Sequence, residues 1–306
     1  RKIMNPAFGP AQIRRFTATF VDKATELRNA WQSQVDETAD GVVRIDVLSW
    51  LSRTTLDIVG LAGFNYSFNS LSAPGNSNEL HEAFKAVLSS QATALGIWTL
   101  LRAWYPVLRI LPSGPRSSLV TKARDTMKRV SRQLLNESKR AVLASQDEKT
   151  TGARDLLTLL VKSNMDEKET ERINDDEVVA QIPTFLLAGH ETTSTATTWA
   201  LYALSLHPDV QRKLRDELLT VPGETPTMDE LNALPYLDAC VREVLRIHPP
   251  VAGVARDVAE DGVIPLSEPV NGKDYVRVRK GQGLILNIIA LNRSKKLWGQ
   301  DAMAFK

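Results

Sequence analysis

The 306-residue sequence holds a single cysteine, Cys240. One thiol excludes an internal disulfide and any zinc site built from several thiolates. The four histidines, His81, His190, His207 and His248, lie too far apart in the chain to mark a metal cluster. Neither charge is in excess: Lys+Arg 38 against Asp+Glu 36 leaves +2, so no basic field points to nucleic acid. The start, Arg1-Lys2-Ile3-Met4, has no signal-peptide pattern. Common catalytic signatures are also missing. There is no GxSxG elbow and no GxxxxGK[ST] loop, and Gly281-Gln282-Gly283 precedes a strand pattern instead of following one. His190-Glu191 could open an HExxH zinc motif, but the second ligand position holds Ser194. A hydrolase or Rossmann dehydrogenase therefore has no support.

A composition of 43% hydrophobic and 24% charged residues fits a globular chain and excludes disorder or a coiled coil. The first 250 residues read mostly as helix. Segment 10–38 repeats Ile13, Phe16, Phe20, Ala24 and Leu27 at helical spacing. A second helix is predicted from about Asp46 to Leu61, a loop over Leu71–Asn78, and a long mixed-charge helix over 116–146. Segment 94–111 is aromatic and apolar around Trp98, Trp104 and Tyr105. Arg102, Arg109 and Pro106 interrupt it, so a core helix pair or a bilayer-surface contact fits better than a span. Residues 145–177 are dominated by charge apart from Leu156–Val161.

The most informative element follows. Asn174 and Glu177 form a capping pair, and Asp175 and Asp176 suit the positive helix end. The helical pattern then runs to His207-Pro208, about 33 residues or ~50 Å at 1.5 Å per residue. Between Val178 and Pro208 the only charged residue is Glu191. A helix neutral on all sides is expected to be buried centrally, and the hydroxyl residues Thr192, Thr193, Ser194, Thr195, Thr197 and Thr198 weigh against a membrane span. Glu191 is then a costly buried carboxylate unless it is paired, hydrogen-bonded or protonated. Phe185, Ala188, Gly189, Thr192 and Ala196 share one face, and Ala188-Gly189 would let something flat approach the backbone. Thr192 can donate to the carbonyl four residues back and distort the helix. Two readings stay open: a proton-delivery pair Glu191–Thr192, or a tight helix crossing that uses small residues.

Beyond Glu230 an amphipathic helix carries Leu231, Leu234, Leu237, Val241 and Leu245 on one side and ends at His248-Pro249-Pro250. Glu243 and Arg246 can pair at i, i+3, a spacing that recurs at Glu137/Arg140 and Glu169/Arg172 and carries little weight alone. Cys240 reads as a small buried hydrophobe. Asn271-Gly272 marks a hairpin beside the alternating Tyr275–Arg279, and Gly283 opens Leu284-Ile285-Leu286.

Taken together, Ala188-Gly189-His190-Glu191-Thr192-Thr193-Ser194 on a long helix, then Glu243-Val244-Leu245-Arg246, His248-Pro249-Pro250 and Arg256, resemble the cytochrome P450 family of haem-thiolate monooxygenases. Arg1 to Phe8 resembles the segment after the family's haem-contacting tryptophan. The motif style is that of eukaryotic, membrane-bound members, fungal ones among them. The resemblance implies a mainly α fold with a small β region, in a single domain over 1–306. Its helical part would be 1–250, with the central helix at about 175–207, and 251–306 would be mostly β and loop.

The resemblance further implies haem b as cofactor. It implies a complete protein that inserts one oxygen atom from O2 into an apolar organic substrate, using electrons from NADPH through a reductase. Ala188, Gly189 and Thr192 would lie over the haem, Glu191 and Thr192 would deliver protons, and Arg1 and Arg256 would pair with the propionates. Phe185, Val251, Ala252 and Val254 would line the substrate pocket, and Glu243–Arg246 would be a structural ion pair. The family's cysteine loop is not matched in this chain, and Cys240 is not its equivalent. The expectation is an inactive internal fragment of a protein anchored at its N-terminus to the cytosolic face of the endoplasmic reticulum. The competing expectation is a non-catalytic helical binding or scaffold protein derived from the family.

Overall fold

A computed structural model describes residues 9–71, 82–83, 116–147, 155–166 and 172–306. The helices are α1 (Pro10–Asp36), α2 (Val47–Phe64), α3 (Arg116–Asp147), α4 (Leu156–Asp166), α5 (Asp175–Leu206), α6 (Pro208–Leu218), α7 (Met228–Asn232), α8 (Pro235–Ile247), α9 (Ile288–Asn292) and α10 (Lys295–Trp298). The strands are β1 (Gly253–Asp257), β2 (Gly262–Val270), β3 (Lys273–Val278) and β4 (Gly283–Asn287). The described residues fall into two compact units. One holds those up to Ser194 with Gly223–Glu230, the other Thr195–Pro222 with Leu231–Lys306. Arg1 and segment 94–111 lie outside the described residues.

In the first unit, local chemistry sets the helix ends. The Asp46 carboxylate accepts from Ser49 N to start α2, and Asn65 ends it in the left-handed conformation at φ 49°. The Asn174–Glu177 capping pair forms as predicted: Glu177 N donates to Asn174 Oδ1 at 2.8 Å and Asn174 N to Glu177 Oε2 at 3.2 Å. The core gathers Leu56 and Phe64 of α2, Met127 and Leu134 of α3, Leu157 and Leu160 of α4, and Ile182 and Leu186 of α5. Helix α4 was not expected in the charged stretch; its apolar run Leu156–Val161 is drawn into this core. The face predicted for α1 is only partly used. Leu27 is buried, but Ile13 and Phe20 are exposed. The inward side of α1 is partly polar instead, because Lys23 pairs with Glu26 at 2.6 Å and lies 3.9 Å from the buried Asp57 of α2. Asp57 also accepts from the backbone N–H groups of Ser70 and Leu71, pinning the turn after α2.

In the second unit, α6 begins at Pro208, at the first helical position. Pro235 restarts the chain as α8, and its N-terminus is capped from α6: both Glu217 carboxylate oxygens accept, from Tyr236 N at 2.9 Å and Leu237 N at 2.8 Å. The restart also corrects the predicted face of α8. Cys240, Val244 and Ile247 are buried, while Val241 and Leu245 are exposed. Strands β1 and β4 pair antiparallel from Gly253↔Asn287 to Asp257↔Gly283. Strands β2 and β3 form the predicted hairpin, with Asn271 and Gly272 at φ 51° and 74°, the positive pair that a tight primed turn requires.

Candidate active site

On α5 the buried side is Val178, Val179, Ile182, Leu186, His190 and Ser194. The opposite side exposes Thr184, Ala188 and Glu191, with Thr192 half-buried beside them. Glu191 is therefore not the buried carboxylate that its uncharged surroundings predicted. The apolar residues on both sides of it supply the core through one face only, and Glu191 falls on the other. Thr192 does what its position allows: Oγ1 donates to Ala188 O at 2.6 Å. Ser194 Oγ donates to Glu191 O at 3.1 Å, and the His190 ring Nδ1 sits 2.8 Å from Leu186 O. Burial pushes the His190 pKa below its ordinary value, with the Leu186 carbonyl only partly opposing this. An Nδ1–H donating to that carbonyl fits the contact.

The small-residue face divides between two tasks. A Cβ on Gly189 would lie 2.8 Å from Cγ2 of Val59, so this glycine marks a close crossing of α5 with α2. Phe185 packs half-buried against the core. Ala188 and Thr192 remain on the open strip with Glu191.

Glu243 and Arg246 form a two-pronged pair, Nε to Oε2 and Nη2 to Oε1, both at 2.7 Å. Arg246 also donates to three carbonyls: Asn292 O at 2.8 Å, Ala302 O at 2.6 Å and Ala304 O at 3.0 Å. Its guanidinium lies 5.0 Å from the centre of the Trp298 ring. The Arg246 hydrogen bonds hold the Glu243 carboxyl below the usual carboxylate range. Arg293 of the same region donates to Ile247 O, and the His248 ring stacks on Trp199 at 4.1 Å. Neither contact carries a local sequence signal, because each joins residues more than forty positions apart.

Arg256 stands exposed on β1 and donates from Nη1 to Ala255 O at 2.8 Å. Among the described residues it has no carboxylate partner within ion-pair distance. Val251 and Ala252 are exposed just before β1, and Val254 is half-buried within it. Cys240 is buried in α8, where burial pushes its thiol pKa up.

The family model for cytochrome P450 matches residues 1–306. The chain belongs to the cytochrome P450 family. Among curated relatives it is similar to cytochrome P450 monooxygenase 205 of Postia placenta (strain ATCC 44394 / Madison 698-R), 49% identical over 317 residues. It is also similar to monooxygenase 128 of the same fungus, 48% identical over 320 residues, and to claQ of Ampulloclitocybe clavipes, 38% identical over 317 residues. All of this chain is covered in each case, against 58%, 58% and 57% of the three relatives. The chain thus spans less than three fifths of the length of the relatives it matches.

The mainly helical architecture with two small antiparallel sheets is that of a cytochrome P450, and the family implies haem. Within each unit, taken by itself, the described residues include features that fit such a group. The open α5 strip has only small neutral side chains around Glu191, and Arg256 offers an exposed guanidinium to a carboxylate. Among the described residues no helix is long and apolar enough to cross a membrane.

Proposed function

We propose that the whole protein is a haem-dependent monooxygenase, inserting one oxygen atom from O2 into an apolar organic substrate with electrons from NADPH delivered by a reductase. The observation that carries this reading is the open strip on α5, where Thr192 Oγ1 is held on Ala188 O beside the exposed Glu191 carboxylate. The haem, when bound, supplies the oxygen-activating redox chemistry. This chain's residues supply the surroundings. Ala188 leaves room for a flat group against the backbone. Glu191 and Thr192 hold and pass protons at the carboxylate and Oγ1. Arg256, and Arg1 at the other end of the chain, pair with propionates. Val251, Ala252 and Val254 face the substrate, and Phe185 supports the pocket wall from the core. Attachment of the whole protein to the cytosolic face of the endoplasmic reticulum completes the proposal, in keeping with the motif style.

The test is made on the full-length, haem-loaded protein with Thr192→Val and Glu191→Gln. Each is expected to lower product formed per NADPH consumed by about 100-fold or more, in the range of a lost proton-transfer group. Haem content should stay unchanged. Wild-type coupling in both variants would reject the proton-delivery roles, whereas a full-length protein that binds no haem and forms no product would favour the non-catalytic helical protein.

A further inference from the structure

We infer that Thr55, on α2, is a positioning residue for the Glu191–Thr192 strip, acting through the carbonyl of His190. The inference rests on the proposed proton-delivery role of that strip. Thr55 is buried, and its Oγ1 lies 3.0 Å from His190 O across the helix crossing, 135 residues away in the chain. The same oxygen lies 2.9 Å from Leu51 O and 3.2 Å from Ser52 O in its own helix. A hydroxyl has one proton and these carbonyls only accept, so the proton is shared between α2 and α5. When it points to Leu51 O, two oxygens with only lone pairs face each other at 3.0 Å across the crossing; when it points to His190 O, α5 is held.

The location gives this bond its consequence. In a regular helix His190 O would accept only from the backbone N–H of Ser194. Around it, side chains reach other carbonyls of α5: His190 takes Leu186 O, Thr192 takes Ala188 O, and Ser194 takes Glu191 O. Side-chain bonding of this kind loosens and bends helices. Thr55 donates into this stretch from another helix. Its neighbour one turn on, Val59, fills the space that a Cβ on the adjacent Gly189 would need. The two contacts from α2 therefore set the local path of α5 at the residues immediately before Glu191 and Thr192.

The experiment compares Thr55→Val, which keeps the shape and removes the hydroxyl, with Thr55→Ser, which keeps the hydroxyl. Both are made in the full-length haem-loaded protein. Amide hydrogen exchange over 188–196 and product formed per NADPH consumed are measured together, beside haem content and KM. Expected for Thr55→Val are altered exchange confined to 188–196 and coupling lowered at least about threefold, with KM and haem content held. Thr55→Ser should return both toward wild type. Wild-type coupling in Thr55→Val overturns the inference, as does an equal loss in Thr55→Ser. If Thr55→Val does not fold, Thr55→Ala takes its place. Failure of both to fold, with Thr55→Ser intact, would make the hydroxyl a stability element and overturn the positioning role. Thr192→Val and Glu191→Gln run alongside. If they too leave coupling intact, the proton-delivery reading fails, and the exchange data still report whether Thr55 shapes α5.

Discussion

Arg246→Met removes one guanidinium and strips five hydrogen bonds from the end of the chain. Glu243 loses both of its short contacts, and the carbonyls of Asn292, Ala302 and Ala304 each lose a charged donor. The pair is poorly hydrated, with side chains 9% and 16% exposed. An exposed pair is worth at most about 1 kcal/mol, whereas breaking a buried one costs about 3–5 kcal/mol because the remaining charge is stranded. The low exposure places this pair toward the second case, so about 3 kcal/mol is expected, a large share of a typical total of ~5–15 kcal/mol. Arg246→Lys keeps the charge but loses the planar fork, and should recover less than half of the loss. The double variant Glu243→Gln/Arg246→Met should be less damaging than Arg246→Met alone, since no carboxylate is left unpaired. Urea unfolding gives the free energies, and hydrogen exchange over 292–304 reports the release of the three carbonyls. A loss below about 0.5 kcal/mol with unchanged exchange in 292–304 would refute the reasoning.

Other consequences are equally open to measurement. Gly189→Ala gains about 1 kcal/mol of helix propensity but must displace the stiff Val59 side chain, at about 1–3 kcal/mol, so a net loss is expected in thermal unfolding; Val59→Ala in the same chain should turn that loss toward a gain. Stability should fall with acid in two stages. His190 and His248 have folded pKa values below their ordinary one through burial, so their contribution is complete above about pH 6.5 and is lost as pH falls further. Glu243, depressed by Arg246, adds a second loss below about pH 4.3. Urea midpoints from pH 8 to 3 should show both limbs, with His190→Gln flattening the first and Glu243→Gln the second; a flat profile would contradict the assignment. Asp57→Asn weakens the clamp on Ser70 and Leu71 N–H and should speed proteolysis after α2 without changing the secondary structure content seen by circular dichroism.

Local signals were readable because their physics is local. The Asn174–Glu177 box, Pro208 opening α6, and the Asn271-Gly272 turn each depend on a few adjacent residues. The Glu243–Arg246 pairing was readable as a spacing, and its weight came from the motifs around it. Burial was harder to read, since it depends on what packs against a face. Glu191 lies in an uncharged helix yet is exposed, because the core needs only the Ile182–Leu186–His190 side. Pro235 resets the phase of α8, so the leucine pattern that crosses it points to the wrong side. The small-residue face of α5 held both of its readings at once: Gly189 serves the crossing with α2, while Ala188 and Thr192 stay open. Thr55 had no signal at all in the sequence, being one threonine among many until the fold sets it on His190 O.

The central proposal is that the whole protein holds a thiolate-ligated haem whose ligand is a residue other than Cys240. The most direct measurement is the absorption spectrum of the full-length protein, reduced under carbon monoxide, for wild type and Cys240→Ala. The account predicts the red-shifted Soret band of a thiolate-ligated haem in both, at equal intensity per haem. Loss of that band in Cys240→Ala, or its absence from a haem-loaded wild type, would contradict it.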